Sequence, residues 1–253
     1  MIIDSPNISL IPKLSELWKE AFGDDDEFIS NFFKLGFSPA RSLCATESDT
    51  VLGMLYWFDM AYKNKKIAYI YGVATGKAFR GRGIASEMMK KAHDILKSQD
   101  YEAIALVPAK KELFTFYEKL GYRTFSYVDE KSVTASKKKT SIKKVAANEY
   151  FEERRKYLKS GYLSPLEESF PFLEMLVDFY IGEDFIASLR KGNKEFSAVE
   201  FLGNLEKIPD LINTLDYIKG TVRIDGKDEP FAMYFPLDDS ELSPLSYLGF
   251  AFD

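Results

Sequence analysis

One stretch of the chain brings together residue types suited to holding an anion: Ala68-Tyr-Ile-Tyr-Gly-Val-Ala-Thr-Gly-Lys-Ala-Phe-Arg-Gly-Arg-Gly-Ile-Ala85. Its first half reads as an apolar strand over 67–75. Its second half opens an amphipathic helix over 82–98, with Ile84, Ala85, Met88, Met89, Ala92, Ile95 and Leu96 on one face. Arg80-Gly81-Arg82-Gly83 joins them, and glycine there lets the backbone approach a ligand in conformations other residues avoid. The first-turn amides of a helix have no partner inside it and face outward with the positive end of the dipole. A pyrophosphate suits that position, and Lys77, Arg80 and Arg82 add positive charge. Two other phosphate-binding turns do not fit. A P-loop needs Lys-Ser/Thr after its second glycine, and a dinucleotide fingerprint needs a third glycine near Ser86.

Composition narrows the chemistry further. One histidine, His93, and one cysteine, Cys44, exclude an internal disulfide, a cysteine-rich zinc cluster and a multi-histidine site, so no metal is expected. His93 falls on the polar flank of the 82–98 helix and is expected at the surface. Cys44 is expected to be a small buried hydrophobe. Against 34 Lys+Arg stand 39 Asp+Glu, a net charge of −5 that argues against a nucleic-acid partner. Lys137, Lys138, Lys139, Lys143 and Lys144 read as a charged, exposed segment. The N-terminus carries neither a basic region nor a sustained apolar run. The longest apolar stretch, 51–58, stops at Asp59 and is too short for a bilayer. A cytoplasmic protein with no membrane partner is expected.

The elements that must position the turn follow from periodicity. Helical patterns cover 11–22 and 25–35, and strands cover 41–46, 51–62 and 67–75, with a hairpin turn at Asn64-Lys65. After the 82–98 helix come a buried strand over 103–107, a helix over 111–120 closed by Gly121, and a strand from Tyr122. This is an α/β (α+β) order, a mixed sheet with helices on its faces. The second half starts with helices over 150–159 and 166–180. Strands follow over 185–189 and 196–202, then a helix over 208–215 and strands over 220–225, 231–236 and 247–253. The reading is two domains, 1–145 and a smaller α+β domain over 146–253. The second echoes the element order of the first without its glycine-rich turn.

Arg-x-x-Gly-x-Ala, present as Arg80, Gly83 and Ala85, resembles the acetyl-CoA signature of the GNAT acyltransferase superfamily. Val73-Ala74-Thr75 resembles the strand whose backbone pairs with the pantetheine arm in that family. Phe116-Tyr-Glu-Lys-Leu-Gly-Tyr122 resembles its closing motif, usually Tyr-x-x-x-Gly-Phe. The resemblance implies a mostly antiparallel GNAT sheet in domain 1–145 and acetyl-CoA as acyl donor. It further implies cofactor contacts from Val73, Ala74, Thr75, Arg80, Gly81, Arg82, Gly83, Ile84 and Ala85, with Tyr117 as general acid. One position departs: where members often carry a cofactor-touching Asn, this chain has Lys110. Pro108 and the overall length resemble the enhanced-intracellular-survival acetyltransferases, which add a degenerate GNAT-like domain. In that group the terminal carboxylate reaches the active site, which implies Asp253 as a second catalytic candidate.

The reaction so implied is direct transfer of an acetyl group from acetyl-CoA to a primary amine of a small molecule or peptide. Amides around 73–75, opened by a bulge, would donate to the thioester oxygen. Tyr69 and Tyr71 would line the acceptor slot or hold a water; Phe116 would be core and Glu118 solvated. The rival reading is a non-catalytic acyl-CoA-binding or sensing protein with a regulatory or dimerising C-terminal domain. A homo-oligomer is compatible with either.

Overall fold

The computed structural model describes residues 1–158, 161–191, 195–238 and 247–252. By its internal contacts the chain divides into two units, Met1–Arg123 with Tyr234–Leu242, and Thr124–Met233 with Ser243–Asp253.

The first unit contains β1 (Ile2–Asp4), α1 (Ile11–Phe22), α2 (Asp26–Leu35), β2 (Ser42–Glu47), β3 (Thr50–Tyr62) and β4 (Lys65–Thr75). These are followed by α3 (Ile84–Ser98), β5 (Ala103–Leu106) and α4 (Glu112–Glu118). The strands lie in the order β1-β2-β3-β4-β5, antiparallel except for the parallel β4–β5 pair. Helix α1 buries Leu14, Leu17 and Trp18, the i, i+3, i+4 stripe that an amphipathic helix turns to a core. The Asp25 side chain caps α2 by accepting from the Phe28 amide at 2.8 Å, and α2 sets Phe32 against Trp18 with ring centroids 4.3 Å apart. Helix α1 packs on β3 and β4, and α3 packs on β2, β3 and β4. Unbroken burial from Leu52 to Phe58 means that β3 is covered on both faces.

The second unit contains β6 (Arg123–Thr134, all but its first residue), β7 (Ile142–Val145), α5 (Ala147–Tyr157), β8 (Ser164–Pro165) and α6 (Phe170–Leu176). Then come β9 (Val177–Gly182), β10 (Phe185–Arg190), β11 (Phe196–Gly203), α7 (Ile208–Thr214), β12 (Lys219–Asp225) and most of β13 (Glu229–Pro236). Strand order is β6-β12-β11-β10-β9-β7. Its core gathers Phe185, Phe196, Phe201 and Val222 with Ile208, Leu211 and Ile212 of α7. The last residues of β13, from Tyr234, belong to the first unit, where Leu237 donates its amide to the Glu102 carbonyl at 2.9 Å.

Three local expectations are corrected. The helix over 166–180 stops at Leu176, and Val177–Gly182 is strand β9. Buried Val177 and Phe179 alternate with partly exposed Asp178 and Tyr180, a period of two that sits on β10 and not on a helix face. In the β3–β4 hairpin, Tyr62 pairs with Lys65, so the turn is Lys63-Asn64 and not Asn64-Lys65, with Lys63 left-handed at φ 55°. Of the strand expected over 247–253, the described residues 247–252 keep one bridge, Tyr247 with Tyr162. Leu248 gives its amide to the Ser126 side chain and not to a ladder partner, at 3.1 Å.

Cys44 is buried as expected. The lysine-rich segment is exposed, with Lys139, Lys143 and Lys144 paired to Asp216, Glu149 and Asp178. Among the described residues no helix is long and apolar enough to cross a membrane.

Candidate active site

The site is built where β4 bulges against β3 and runs on past the end of its pairing with β5. Against β3, Met54 faces Ala74 but Tyr56 faces Tyr71, so Gly72 and Val73 together oppose Leu55 in a β-bulge. Gly72 has φ 60°, and a Cβ there would lie 3.0 Å from the Tyr56 ring and 3.2 Å from Trp18. Both the backbone and the aromatic packing therefore require glycine. Against β5, pairing ends at Tyr69–Ala105 while β4 runs on to Thr75. Val73, Ala74 and Thr75 then form one wall of a cavity of about 390 Å³.

The second wall is the turn into α3. Gly81 and Gly83 both have φ 77°, and a Cβ on either would meet nothing within 4 Å. Backbone conformation, not crowding, selects glycine here, and the space above the turn is open. Among the described residues no side chain caps α3, and its first internal bond runs from the Glu87 amide to the Gly83 carbonyl at 3.0 Å. Ile84, Ala85 and Ser86, whose amides precede that bond, line the cavity. Arg80 also lines it and anchors the turn by donating Nε to the Thr75 carbonyl at 3.2 Å. Arg82 does not line it; its guanidinium lies 3.7 Å from Glu47 and over the Phe79 ring. Lys77 is exposed, and its amide donates to Glu20 at 2.7 Å.

The third wall is α4, through Leu113, Phe116 and Tyr117. Phe116, expected in the core, is half-buried in this wall. Tyr117 is 6% exposed, and its hydroxyl makes no hydrogen bond among the described residues. Burial pushes its phenol up to about 12. The spacing of Leu113 from Phe116 and Tyr117, three and four residues, is the sequence signal that would have added it to the site.

His93 is not a surface residue. Its ring stacks on Phe235 at 4.2 Å and 19°, and Nε2 lies 2.9 Å from the Tyr122 hydroxyl. Burial lowers the imidazole to about 4 despite neighbouring Asp94, so it is neutral at pH 7. Lys90, Asp94 and Lys97 around it on α3 are polar, but Phe235 arrives from far along the chain to cover it. Tyr69 is buried in the core, whereas Tyr71 is half-buried against Trp18 and Phe58 at 5.8 and 5.5 Å. Glu118 is exposed. Asp253 lies outside the described residues.

Residues 3–125 match the family model described as an acetyltransferase (GNAT) domain. No curated protein matches the chain in sequence. Among solved structures, the chain is similar to a GCN5-related N-acetyltransferase from Anabaena variabilis, with TM-score 0.72 and 14% identity over 94% of this chain and 73% of that one. A putative acetyltransferase from Pyrococcus horikoshii gives TM-score 0.69 and 16% identity, over 98% of this chain and 92% of that one. Eis1 from Mycobacterium abscessus gives TM-score 0.65 and 10% identity, over 94% and 74%. At these identities the likeness is one of fold, and it confirms the α/β (α+β) class.

Proposed function

We propose, on the premise that residues 3–125 match the acetyltransferase (GNAT) domain model, that this protein is an N-acetyltransferase using acetyl-CoA. It moves the acetyl group directly to a primary amine of a small molecule or peptide. The observation that carries this reading is the convergence on one cavity of the bulged end of β4, the uncapped start of α3 and Tyr117.

In this reading the donor's pyrophosphate sits above Gly81 and Gly83, where a Cβ would meet nothing within 4 Å among the described residues. The amides of Ile84, Ala85 and Ser86 donate to it, and Arg80 supplies charge. Arg82 exchanges Glu47 for phosphate, giving up an exposed ion pair worth only about 0–1 kcal/mol. The pantetheine arm follows Val73–Thr75, with Leu113 and Phe116 against its apolar part. Backbone N–H groups at the bulge donate to the thioester oxygen as charge develops on it.

The neutral amine attacks the carbonyl carbon, the C–N bond forms, the C–S bond breaks, and the surplus amine proton leaves to solvent. Holding both reactants in one cleft supplies much of the rate. Tyr117 faces the departing sulfur. A phenol at about 12 keeps its proton at any working pH. It holds its proton more tightly than a free thiol near 8.5 does, which disfavours complete transfer. Tyr117 therefore acts first as a charge-assisted hydrogen-bond donor to the thiolate.

The test is to incubate the protein with acetyl-CoA and a panel of primary amines, following free thiol and acetylated product together. Equal appearance of both is expected. Acetyl-CoA binding without transfer across the panel would favour the acyl-CoA-binding reading instead.

A further inference from the structure

Among the described residues the Tyr117 hydroxyl makes no hydrogen bond, yet the residue is closely backed. The Tyr122 amide donates to the Tyr117 carbonyl at 3.1 Å, and the two rings meet edge to face at 5.6 Å. Tyr122 is in turn fixed at its far end, where the hydroxyl meets His93 Nε2 at 2.9 Å. Phe235 closes the assembly from behind. It stacks on His93, tilts against Tyr122 at 5.4 Å, and lies so near Gly121 that a Cβ there would come within 3.0 Å of its ring.

We propose that His93 is a positioning residue for Tyr117, acting through Tyr122 and held in place by Phe235. The inference rests on the acetyltransferase reading above. It implies that residues 3–125 do not complete the site, because Phe235 belongs to a segment that returns to the first unit from the second half of the sequence. A tyrosine in place of the family's usual phenylalanine at position 122 supplies the hydroxyl that makes the coupling. The groups facing the imidazole are the Tyr122 hydroxyl, the uncharged Phe235 ring and, from its own helix, Asp94.

The test uses the full chain with His93→Leu, His93→Gln and Tyr117→Phe, alone and combined. His93→Leu removes the nitrogen and should lower kcat about tenfold, the scale of a misplaced catalytic group, with KM for acetyl-CoA little changed. His93→Gln offers an amide near the Nε2 position and should recover most of the loss. In a Tyr117→Phe background His93→Leu should cost nothing more, since the group it positions is gone. Losses that multiply in the double variant, or a His93→Leu enzyme with normal kcat, would overturn the inference. If Tyr117→Phe alone leaves kcat unchanged, the donor role of Tyr117 itself fails and this inference falls with it. An independent readout needs no turnover. As the chain's one histidine, His93 gives a unique imidazole resonance, expected to titrate near 4 and to move upward in Phe235→Ala. A resonance titrating at the ordinary 6.5 in the wild type would also overturn it.

Discussion

The two units repeat one strand arrangement and put it to opposite uses. In the first, antiparallel β3–β4 carries a bulge in β4, α3 follows, and β5 pairs parallel to β4. In the second, antiparallel β10–β11 slips between Ser188 and Leu189, leaving Val199 as the extra residue of β11. Helix α7 follows, and β12 pairs parallel to β11. In the first unit the bulge borders a cavity. In the second, Glu200 beside the bulge is wholly buried, gripped by Arg154 through bonds of 2.8 and 2.9 Å and by the hydroxyls of Tyr150 and Tyr247. The turns differ in the same sense. The turn into α3 leaves its amides uncapped beneath open glycines, whereas Asn204 accepts from the Glu206 amide and Pro209 removes an N–H at the start of α7. Helix α7 is also only 7 residues long against 15 for α3. A bulged strand and a following helix are therefore scaffold; what makes a site is whether side chains leave the amides and the space unused.

The comparison breaks most visibly at the buried ion pair. Arg154→Met leaves the Glu200 carboxylate inside without its guanidinium and should cost about 3–5 kcal/mol in urea denaturation. Adding Glu200→Leu should return most of that loss, because an apolar pair can replace a buried ionic one. A small loss in the single variant would mean that the network is not what fills the second unit's bulge.

A smaller effect is expected at the open turn. Gly83→Ala meets no clash but forces alanine to φ 77°, a strain of about 1–2 kcal/mol. Because the amides it misaligns are those proposed to hold the pyrophosphate, acetyl-CoA affinity by calorimetry should fall about tenfold, or 1.4 kcal/mol. Unchanged affinity would remove the turn from the site. The smallest effect belongs to the capped turn. Asn204→Ala loses its bonds to the Glu206 amide and to Asp184, should cost about 1 kcal/mol of stability, and should leave acetyl-CoA affinity as it was. Loss of affinity there would contradict the division of labour between the two turns.

The open turn is also the part most legible in sequence. Its glycines, arginines and helical stripe are contiguous, so local rules read them directly, and α1 appears at its observed bounds for the same reason. What escaped was carried by distant partners. The burial of His93 depends on Phe235, and the filling of the second bulge depends on Arg154 meeting Glu200 across the fold. Strand β9 reads as helix in the sequence because its apolar run follows α6 without a break, and only pairing with β10 decides its period. Likewise, no periodicity signals that Tyr234–Leu242 returns to the first unit.

The central claim, that the open bulge and Tyr117 form a catalytic site for acetyl transfer, is met most directly by measuring turnover and acetyl-CoA affinity of Tyr117→Phe together. Loss of the hydroxyl should lower kcat about 100-fold while the dissociation constant stays within about twofold, the signature of an interaction made in the transition state. An enzyme with undiminished kcat, or one that loses affinity and turnover in equal measure, would contradict it.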